Sequence, residues 1–127
     1  MANELILIVD DNVKNRKLIR DTLQARRYQT IEANTGEEGV RLVGERHPAL
    51  VLMDIGLPGI SGIDALEQLR ADPTTAAIPV IAVSASAAAE DRRKIMAAGF
   101  DGFQGKPISM RELLETIHQV LDRAASE

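Results

Sequence analysis

The sequence predicts a parallel, doubly wound α/β sandwich, in which helices cover both faces of a single sheet. Two observations carry this prediction. Short apolar runs recur along the chain without the alternation of strands that have one face in water, and such runs are typical of parallel strands buried on both faces. Segments with helical periodicity fill the gaps between the runs, so that strand and helix alternate five times.

Five segments are predicted as strands. Three are compact apolar runs, a fourth is weaker, and one alternates in polarity as an edge strand would. In chain order they are Leu5–Val9, the alternating Tyr28–Ala33, Leu50–Met53, Val80–Val83 and the weaker run around Phe100–Phe103. The compact runs are therefore expected to be buried on both faces of the sheet.

Apolar residues recur at three- and four-residue steps between the strands, which indicates amphipathic helices. Leu18, Ile19 and Leu23 share a face in the first gap, and Val40 and Val43 share one in the second. The last helix is the clearest, with Met110, Leu113, Leu114, Ile117, Val120 and Leu121 on one face.

Helix ends carry their own signals. Thr35–Glu38 and Ser109–Glu112 have the spacing of a capping box, in which a hydroxyl and a carboxylate satisfy free backbone N–H groups reciprocally. Pro48 is expected to end the second helix and Gly99 to cap the fourth.

The composition narrows the class of protein. A chain of 127 residues suits one domain, and we expect residues 1–127 to form it without an attached effector domain. The absence of cysteine excludes disulfides, cysteine metal sites and thiol nucleophiles. A net charge of −4 argues against a nucleic-acid partner.

No apolar run is long enough for a secretion signal or for a membrane span, which takes about 20 residues. We therefore expect a cytoplasmic protein without a membrane partner. A monomer is favoured because no large apolar face is left over.

Polar side chains follow the predicted strands at the edge where the carboxyl ends of parallel strands meet. Asp10 and Asp11 follow the first strand, Asp54 the third and Ser84 the fourth, and Lys106 comes after the fifth. Three carboxylates this close would repel one another unless a cation lay among them, and Mg²⁺ takes carboxylates together with phosphate oxygens. The pattern predicts a site for a phosphoryl group carried on a carboxylate.

The glycines after Asp54 resemble a nucleotide-binding loop only at first sight. Gly56, Gly59 and Gly62 match neither the dinucleotide-binding pattern nor the P-loop pattern. Resemblance to the aspartyl-nucleophile phosphatases would require a second acid two residues after Asp54, where this chain has Gly56. An enzyme that turns over external substrates is therefore not expected.

Four blocks resemble, in order and spacing, the receiver domain of two-component response regulators. They are LIVDDN (7–12), LMDIGLPGISG (52–62), IPVIAVSAS (78–86) and GFDGFQGKPI (99–108). The resemblance covers nearly the whole chain and is greatest to single-domain receivers of the chemotaxis, sporulation and cell-division-control kind. It implies a flavodoxin-like (βα)5 sandwich with a five-stranded parallel sheet in the order 2-1-3-4-5.

The resemblance also implies a phosphoacceptor. Asp54 would take a phosphoryl group from a histidine on a sensor kinase or on a histidine phosphotransfer protein. Asp11 and Asp54 would bind Mg²⁺ directly, Asp10 mainly through water, and the backbone carbonyl of Gly56 would complete the protein ligands.

A conformational switch is implied as well. Lys106 would contact the phosphoryl oxygens and would be joined to Pro107 by a cis peptide bond. Ser84 would move toward the phosphoryl group and Phe103 would move inward behind it. This shift would alter the surface of the fourth helix, fifth strand and fifth helix, where a downstream protein binds.

The chain departs from the family pattern at the switch and beside the phosphoacceptor. Phe103 stands where the family more often has Tyr. Gly56, Ala85 and Ser86 occupy positions that set how fast water hydrolyses the acyl phosphate in the family, and Gly56 supplies no side chain there.

Two questions about function stay open at the level of sequence. The protein is either a relay intermediate, which passes the phosphoryl group to another histidine, or a terminal regulator. The alternative function is a receiver-like adaptor that docks without phosphorylation. An adaptor would not need the full set of Asp10, Asp11, Asp54, Ser84 and Lys106.

Overall fold

The computed structural model describes residues 3–85 and 88–126. Five strands and five helices alternate in these ranges, and none of these helices is long and apolar enough to cross a bilayer. The strands are β1 (Leu5–Val9), β2 (Gln29–Ala33), β3 (Leu50–Asp54), β4 (Val80–Ser84) and β5 (Gly102–Gly105). The helices are α1 (Val13–Ala25), α2 (Gly36–Arg46), α3 (Gly62–Ala71), α4 (Ala89–Ala97) and α5 (Met110–Ser126).

The five strands form one parallel sheet in the order β2-β1-β3-β4-β5, which confirms the predicted flavodoxin-like sandwich. Its register aligns the carboxyl ends of the inner strands. Val9 of β1 is level with Met53 of β3, and Asp54 at the end of β3 is level with Val83 of β4. Residues that follow β1 and β4 therefore meet the end of β3 at one edge.

Two hydrophobic clusters hold the sheet, one on each face. In β1, Leu7 and Val9 pack in the cluster that includes the buried apolar side chains of α2 and α3. Ile6 and Ile8 pack in the other cluster, with the buried residues of α1 and α5. Because successive residues of a strand point to opposite faces, a strand buried on both sides must be apolar throughout.

The predicted position of the last strand is wrong by two residues. β5 begins at Gly102, whereas Phe100 lies before it and is still buried in the core. The backbone N–H of Asp101 donates to the carbonyl of Val80 at 2.8 Å, and this bond leads the chain into β5. Burial of Phe100 gave the strand-like signal without strand geometry.

Helix capping differs in part from the prediction. Thr35 accepts a hydrogen bond from the N–H of Glu38 at 3.1 Å, but the Glu38 carboxylate accepts from the N–H of Asn34 and not from that of Thr35. A reciprocal capping box does occur at the start of α3, between Ser61 and Asp64. The sequence pattern missed it because aspartate replaces the usual glutamate or glutamine.

Candidate functional site

The acidic residues of the carboxyl edge come together as the sequence predicts. Asp54 is the last residue of β3 and Asp10 follows β1, and the two side chains are 5% and 2% exposed. Asp11, the next residue, is exposed to solvent. One carboxylate oxygen from each of Asp10, Asp11 and Asp54 lies within 4.8 Å of the other two.

Backbone N–H groups orient the two buried carboxylates. Oδ1 of Asp10 accepts from the N–H of Asn12 at 2.8 Å, and Oδ1 of Asp54 accepts from the N–H of Gly56 at 3.0 Å. Each aspartate thus bonds to the backbone two residues ahead, as aspartate does at turns. The second oxygen of each carboxylate is left for other contacts.

Lys106 supplies the positive charge for these second oxygens. Its Nζ donates to Oδ2 of Asp54 at 2.9 Å and lies 3.6 Å from Oδ2 of Asp10. Burial lowers the pKa of Lys106, but the hydrogen bond and charge of Asp54 and the charge of Asp10 outweigh it, so that the pKa is raised. The ammonium group is therefore charged at neutral pH.

One ammonium group does not neutralise three carboxylates. Burial raises the pKa of Asp10, the hydrogen bond from Asn12 opposes this, and the negative charge of Asp54 raises the pKa further. A hard divalent cation would relieve this repulsion, and a set of carboxylate oxygens is the donor chemistry that such ions prefer. The cluster could therefore hold a metal ion.

Arg16 is a part of the site that the sequence did not reveal. Its Nη1 donates to the backbone carbonyl of Asp10 at 2.6 Å, and its Nε donates to Glu32 of β2 at 3.1 Å. Arg20 donates to the other oxygen of Glu32 at 3.0 Å. The pair of arginines thereby ties α1 and β2 to the end of β1, and periodicity alone gives no signal of such a contact.

The opposite wall of the site comes from β4 and the segment after β5. Ser84 is buried at the end of β4, and its carbonyl accepts from the N–H of Lys106 at 2.8 Å. The bond between Lys106 and Pro107 is cis. Ala85 is exposed beside the site, whereas Ser86 lies outside the described residues.

An open cavity of about 490 Å³ lies over Asp54. Asp11, Asn15, Ser84 and Lys106 are among the residues that line it. Gly56 also lines it, and a Cβ at this position would meet only Oδ1 of Asp54, at 3.8 Å. Gly56 therefore places no side chain over the carboxylate of Asp54.

Two glycines shape the loop between β3 and α3. Gly59 has a φ of 75°, which disfavours other residues. At Gly62 a Cβ would lie 2.5 Å from the carbonyl oxygen of Asp54, so that only glycine lets α3 begin this close to β3. The position of the phosphoacceptor candidate thus depends on Gly62.

Phe103 lies on β5 in the groove between α4 and α5. The ring is partly buried, and the guanidinium of Arg92 lies 5.2 Å from the ring centroid. Both residues line a groove of about 540 Å³ that also reaches Lys106. Lys106 thus connects this groove with the acidic cluster.

Comparison with known proteins agrees with this geometry. A sequence model described as the response regulator receiver domain matches residues 6–118, which include the three aspartates, Ser84 and Lys106. The chain belongs to this family. Receiver domains are signalling proteins and not classical enzymes, and the predicted membership in two-component signalling is confirmed.

Individual relatives agree with the assignment of this chain to the receiver-domain family. The polar-differentiation response regulator DivK of Brucella ovis is 42% identical over 119 residues, which are 94% of this chain and 97% of DivK. A receiver domain protein of Methanospirillum hungatei is 30% identical with a TM-score of 0.89, and the match covers 98% of each chain.

A third relative was solved with a metal ion. It is the receiver domain of a sensor histidine kinase of Pseudomonas aeruginosa, with magnesium coordinated in its active-site cleft. It is 29% identical to this receiver domain with a TM-score of 0.87, and the match covers 95% of this chain and 99% of the other.

Proposed function

We propose that this receiver domain is a phosphoacceptor of a two-component or phosphorelay system. The observation that carries the proposal is the contact of 2.9 Å between Lys106 Nζ and Oδ2 of Asp54 within a cluster of three carboxylates. An ammonium group at this position would offset the charge of a phosphoryl group on Asp54. The donor is a phosphohistidine of a sensor kinase or of a histidine phosphotransfer protein.

The transfer is an exchange of one bond to phosphorus for another. A carboxylate oxygen of Asp54 forms the new bond, and the phosphorus–nitrogen bond of the phosphohistidine breaks with its electron pair left on the imidazole. Lys106 and the hydroxyl of Ser84 would contact the phosphoryl oxygens. Slow hydrolysis then returns Asp54 to a free carboxylate, and Gly56, Ala85 and Ser86 would set its rate.

The cation of this site is proposed to be Mg²⁺. Asp10, Asp11, Asp54 and the backbone carbonyl of Gly56 would hold it, with Asp10 mainly through water. All of these groups are hard oxygen donors, as Mg²⁺ requires. When bound, the ion offsets negative charge on the carboxylates and on the phosphoryl group.

Phosphorylation would act on the groove between α4 and α5. Movement of Ser84 toward the phosphoryl group opens space behind it, and Phe103 would turn inward from its partly exposed position. The surface formed by α4, β5 and α5 would then favour a downstream protein. We place this protein in the cytoplasm as a monomer, with residues 1–127 as one receiver domain.

The proposal is tested by phosphorylation with a small donor. The protein is incubated with Mg²⁺ and acetyl phosphate, and its intact mass is measured. We expect one added phosphoryl group, which is absent from Asp54→Asn and absent when EDTA removes the metal. Labelling of Asp54→Asn would refute the assignment of the acceptor. No labelling of the wild type, with partner binding unchanged in Asp54→Ala, would favour the docking-only adaptor.

A further inference from the structure

The side chain of Asn15 lies on the wall of the open cavity over Asp54. It lies in the first turn of α1, is partly buried and lines the cavity over Asp54. Its backbone N–H donates to Oδ1 of Asn12 at 3.0 Å, which fixes this turn beside the site. Its side-chain amide makes no hydrogen bond within residues 3–85 and 88–126.

The other polar side chains that line this cavity already make contacts or are assigned contacts in the proposed function. Asp11 and Asp54 belong to the acidic cluster, and Nζ of Lys106 donates to Asp54. The carbonyl oxygen of the Asn12 side chain caps α1, and Ser84 is proposed to contact the phosphoryl group. Among the described lining residues, Asn15 is thus the neutral side chain that still offers both a donor and an acceptor.

Among the described residues, the two rate-setting positions beside Asp54 place no polar side chain in competition with this amide. Gly56 has no side chain and Ala85 has only a methyl group, so neither offers a side-chain polar atom to a water molecule over Asp54. The three free oxygens of a phosphoryl group would be served by Lys106, Ser84 and the cation. The water that attacks phosphorus is then the one reacting group to which no side chain has been assigned.

We propose that the Asn15 amide positions the water that hydrolyses the acyl phosphate on Asp54. The amide oxygen accepts one O–H of the water, which directs a lone pair toward phosphorus. The water oxygen bonds to phosphorus, and the bond to the Asp54 oxygen breaks with both electrons left on the carboxylate. One water proton is released with the inorganic phosphate. This inference rests on the proposed function.

Asn15 can be replaced without loss of a structural contact. Its side chain makes no hydrogen bond in the described part of the chain, and alanine and leucine are both better helix formers than asparagine. Ala and Leu remove the amide alike but change the cavity in opposite ways, because Ala opens it to bulk water and Leu fills it. Gln restores an amide on a longer side chain.

The test measures the half-life of the phosphorylated protein. Wild type, Asn15→Ala, Asn15→Leu and Asn15→Gln are phosphorylated with acetyl phosphate in Mg²⁺, the donor is removed, and the phosphorylated fraction is followed by intact mass. We expect Ala and Leu both to lengthen the half-life by about fivefold, the effect of one hydrogen bond on a rate, and Gln to lie nearer the wild type. The Mg²⁺ affinity should not change, and the unfolding midpoint in urea should not fall, since the substitutions favour the helix.

The other possible outcomes distinguish a failure of the role of Asn15 from a failure of the proposed phosphoacceptor function. A longer half-life in Leu with a shorter one in Ala would show that the side chain acts only as a cover, and would overturn the inference. Equal half-lives in all four proteins would also overturn it while leaving Asp54 as the acceptor. A wild type that takes up no phosphoryl group would overturn the proposed function and the inference together.

Discussion

Asp10 is a carboxylate that the fold buries beside two other acidic groups. Burial raises its pKa, the hydrogen bond from Asn12 lowers it, and the charge of Asp54 raises it again. In the unfolded chain the pKa returns to about 3.9, so that above this value the folded state binds more protons than the unfolded state. The contribution of Asp10 to stability therefore becomes less favourable as the pH rises.

We expect Asp10→Asn to raise the free energy of unfolding by about 1 kcal/mol at pH 7 without divalent cations, because it removes a buried charge. The amide oxygen can still accept the hydrogen bond from Asn12. The gain should shrink as the pH is lowered through the folded pKa and should vanish below about 4, where Asp10 becomes protonated in both states. Urea denaturation in EDTA at several pH values measures it.

Asp21 is the matched control for this substitution. The hydrogen bond from Lys17 lowers the pKa of Asp21, and the side chain is exposed. Asp21→Asn should therefore lower the stability slightly or leave it unchanged at pH 7. A loss of stability in Asp10→Asn equal to that in Asp21→Asn would contradict the prediction.

Gly62 fixes the backbone of Asp54, the proposed phosphoacceptor, by its lack of a Cβ. We expect Gly62→Ala to lower the free energy of unfolding by about 1–3 kcal/mol, because the new methyl group would lie 2.5 Å from the carbonyl oxygen of Asp54. Phosphorylation by acetyl phosphate should slow as β3 shifts. Urea denaturation and intact mass give the two readouts.

Gly44 controls for the general effect of alanine in a helix. A Cβ at Gly44 of α2 would meet nothing within 4 Å, so Gly44→Ala should raise the stability by up to about 1 kcal/mol. Similar changes in the two variants would rule out the close approach at Gly62 as the cause.

Single elements show which part of the fold the sequence could predict. The strands β1, β3 and β4 are buried on both faces, and their apolar runs placed them to within a residue. The predicted position of β5 is wrong by two residues because Phe100 is buried outside the strand. The site residues at strand ends followed from the same runs, since parallel strands end at one edge.

The sequence pattern could not predict the side-chain contacts between one element and another. Arg16 reaches the carbonyl of Asp10 and the carboxylate of Glu32, 16 residues further on, only because α1 packs beside β2. Asn15 enters the cavity for the same reason. Charge and periodicity assign such residues to a helix face, but the angle at which the helix packs decides which neighbours they touch.

Of the helices, α4 has the fewest buried residues. Ile95 is its one buried residue, and its N-cap residue, Ala88, makes no side-chain capping hydrogen bond. The guanidinium of Arg92 over the ring of Phe103 is therefore an important link between α4 and β5. The contact is made with Phe103 in its partly exposed position, and it would be lost if the ring turned inward as proposed.

We expect Arg92→Ala to speed phosphorylation by acetyl phosphate by about two- to fivefold. Loss of an exposed cation–π contact of about 0.5–1 kcal/mol would favour the inward position of Phe103. Arg93→Ala removes the same charge from the exposed neighbour and should leave the rate unchanged. Equal acceleration in both variants would point to net charge and not to the ring contact.

The two edges of the whole sheet are held differently. At the amino edge of β4, Arg70 donates to the carbonyl of Ile78 at 2.7 Å and to Asp101 at 2.8 Å, and the same Asp101 oxygen accepts from the N–H of Val80. At the carboxyl edge, the ammonium group of Lys106 contacts the carboxylates of Asp10 and Asp54, and the carboxylate of Asp11 lies beside them. An excess of negative charge is thus left at the edge where a cation would bind.

Because this repulsion exists only in the folded chain, binding of Mg²⁺ should stabilise the whole molecule. We expect the free energy of unfolding to rise with Mg²⁺ by about 1.4 kcal/mol at ten times the dissociation constant. Asp11→Asn removes an exposed carboxylate of the cluster and should flatten this dependence. Urea denaturation across a Mg²⁺ series, with NaCl at equal ionic strength to correct for screening, measures both slopes. Equal slopes for wild type and Asp11→Asn would place the stabilising ion outside the acidic cluster.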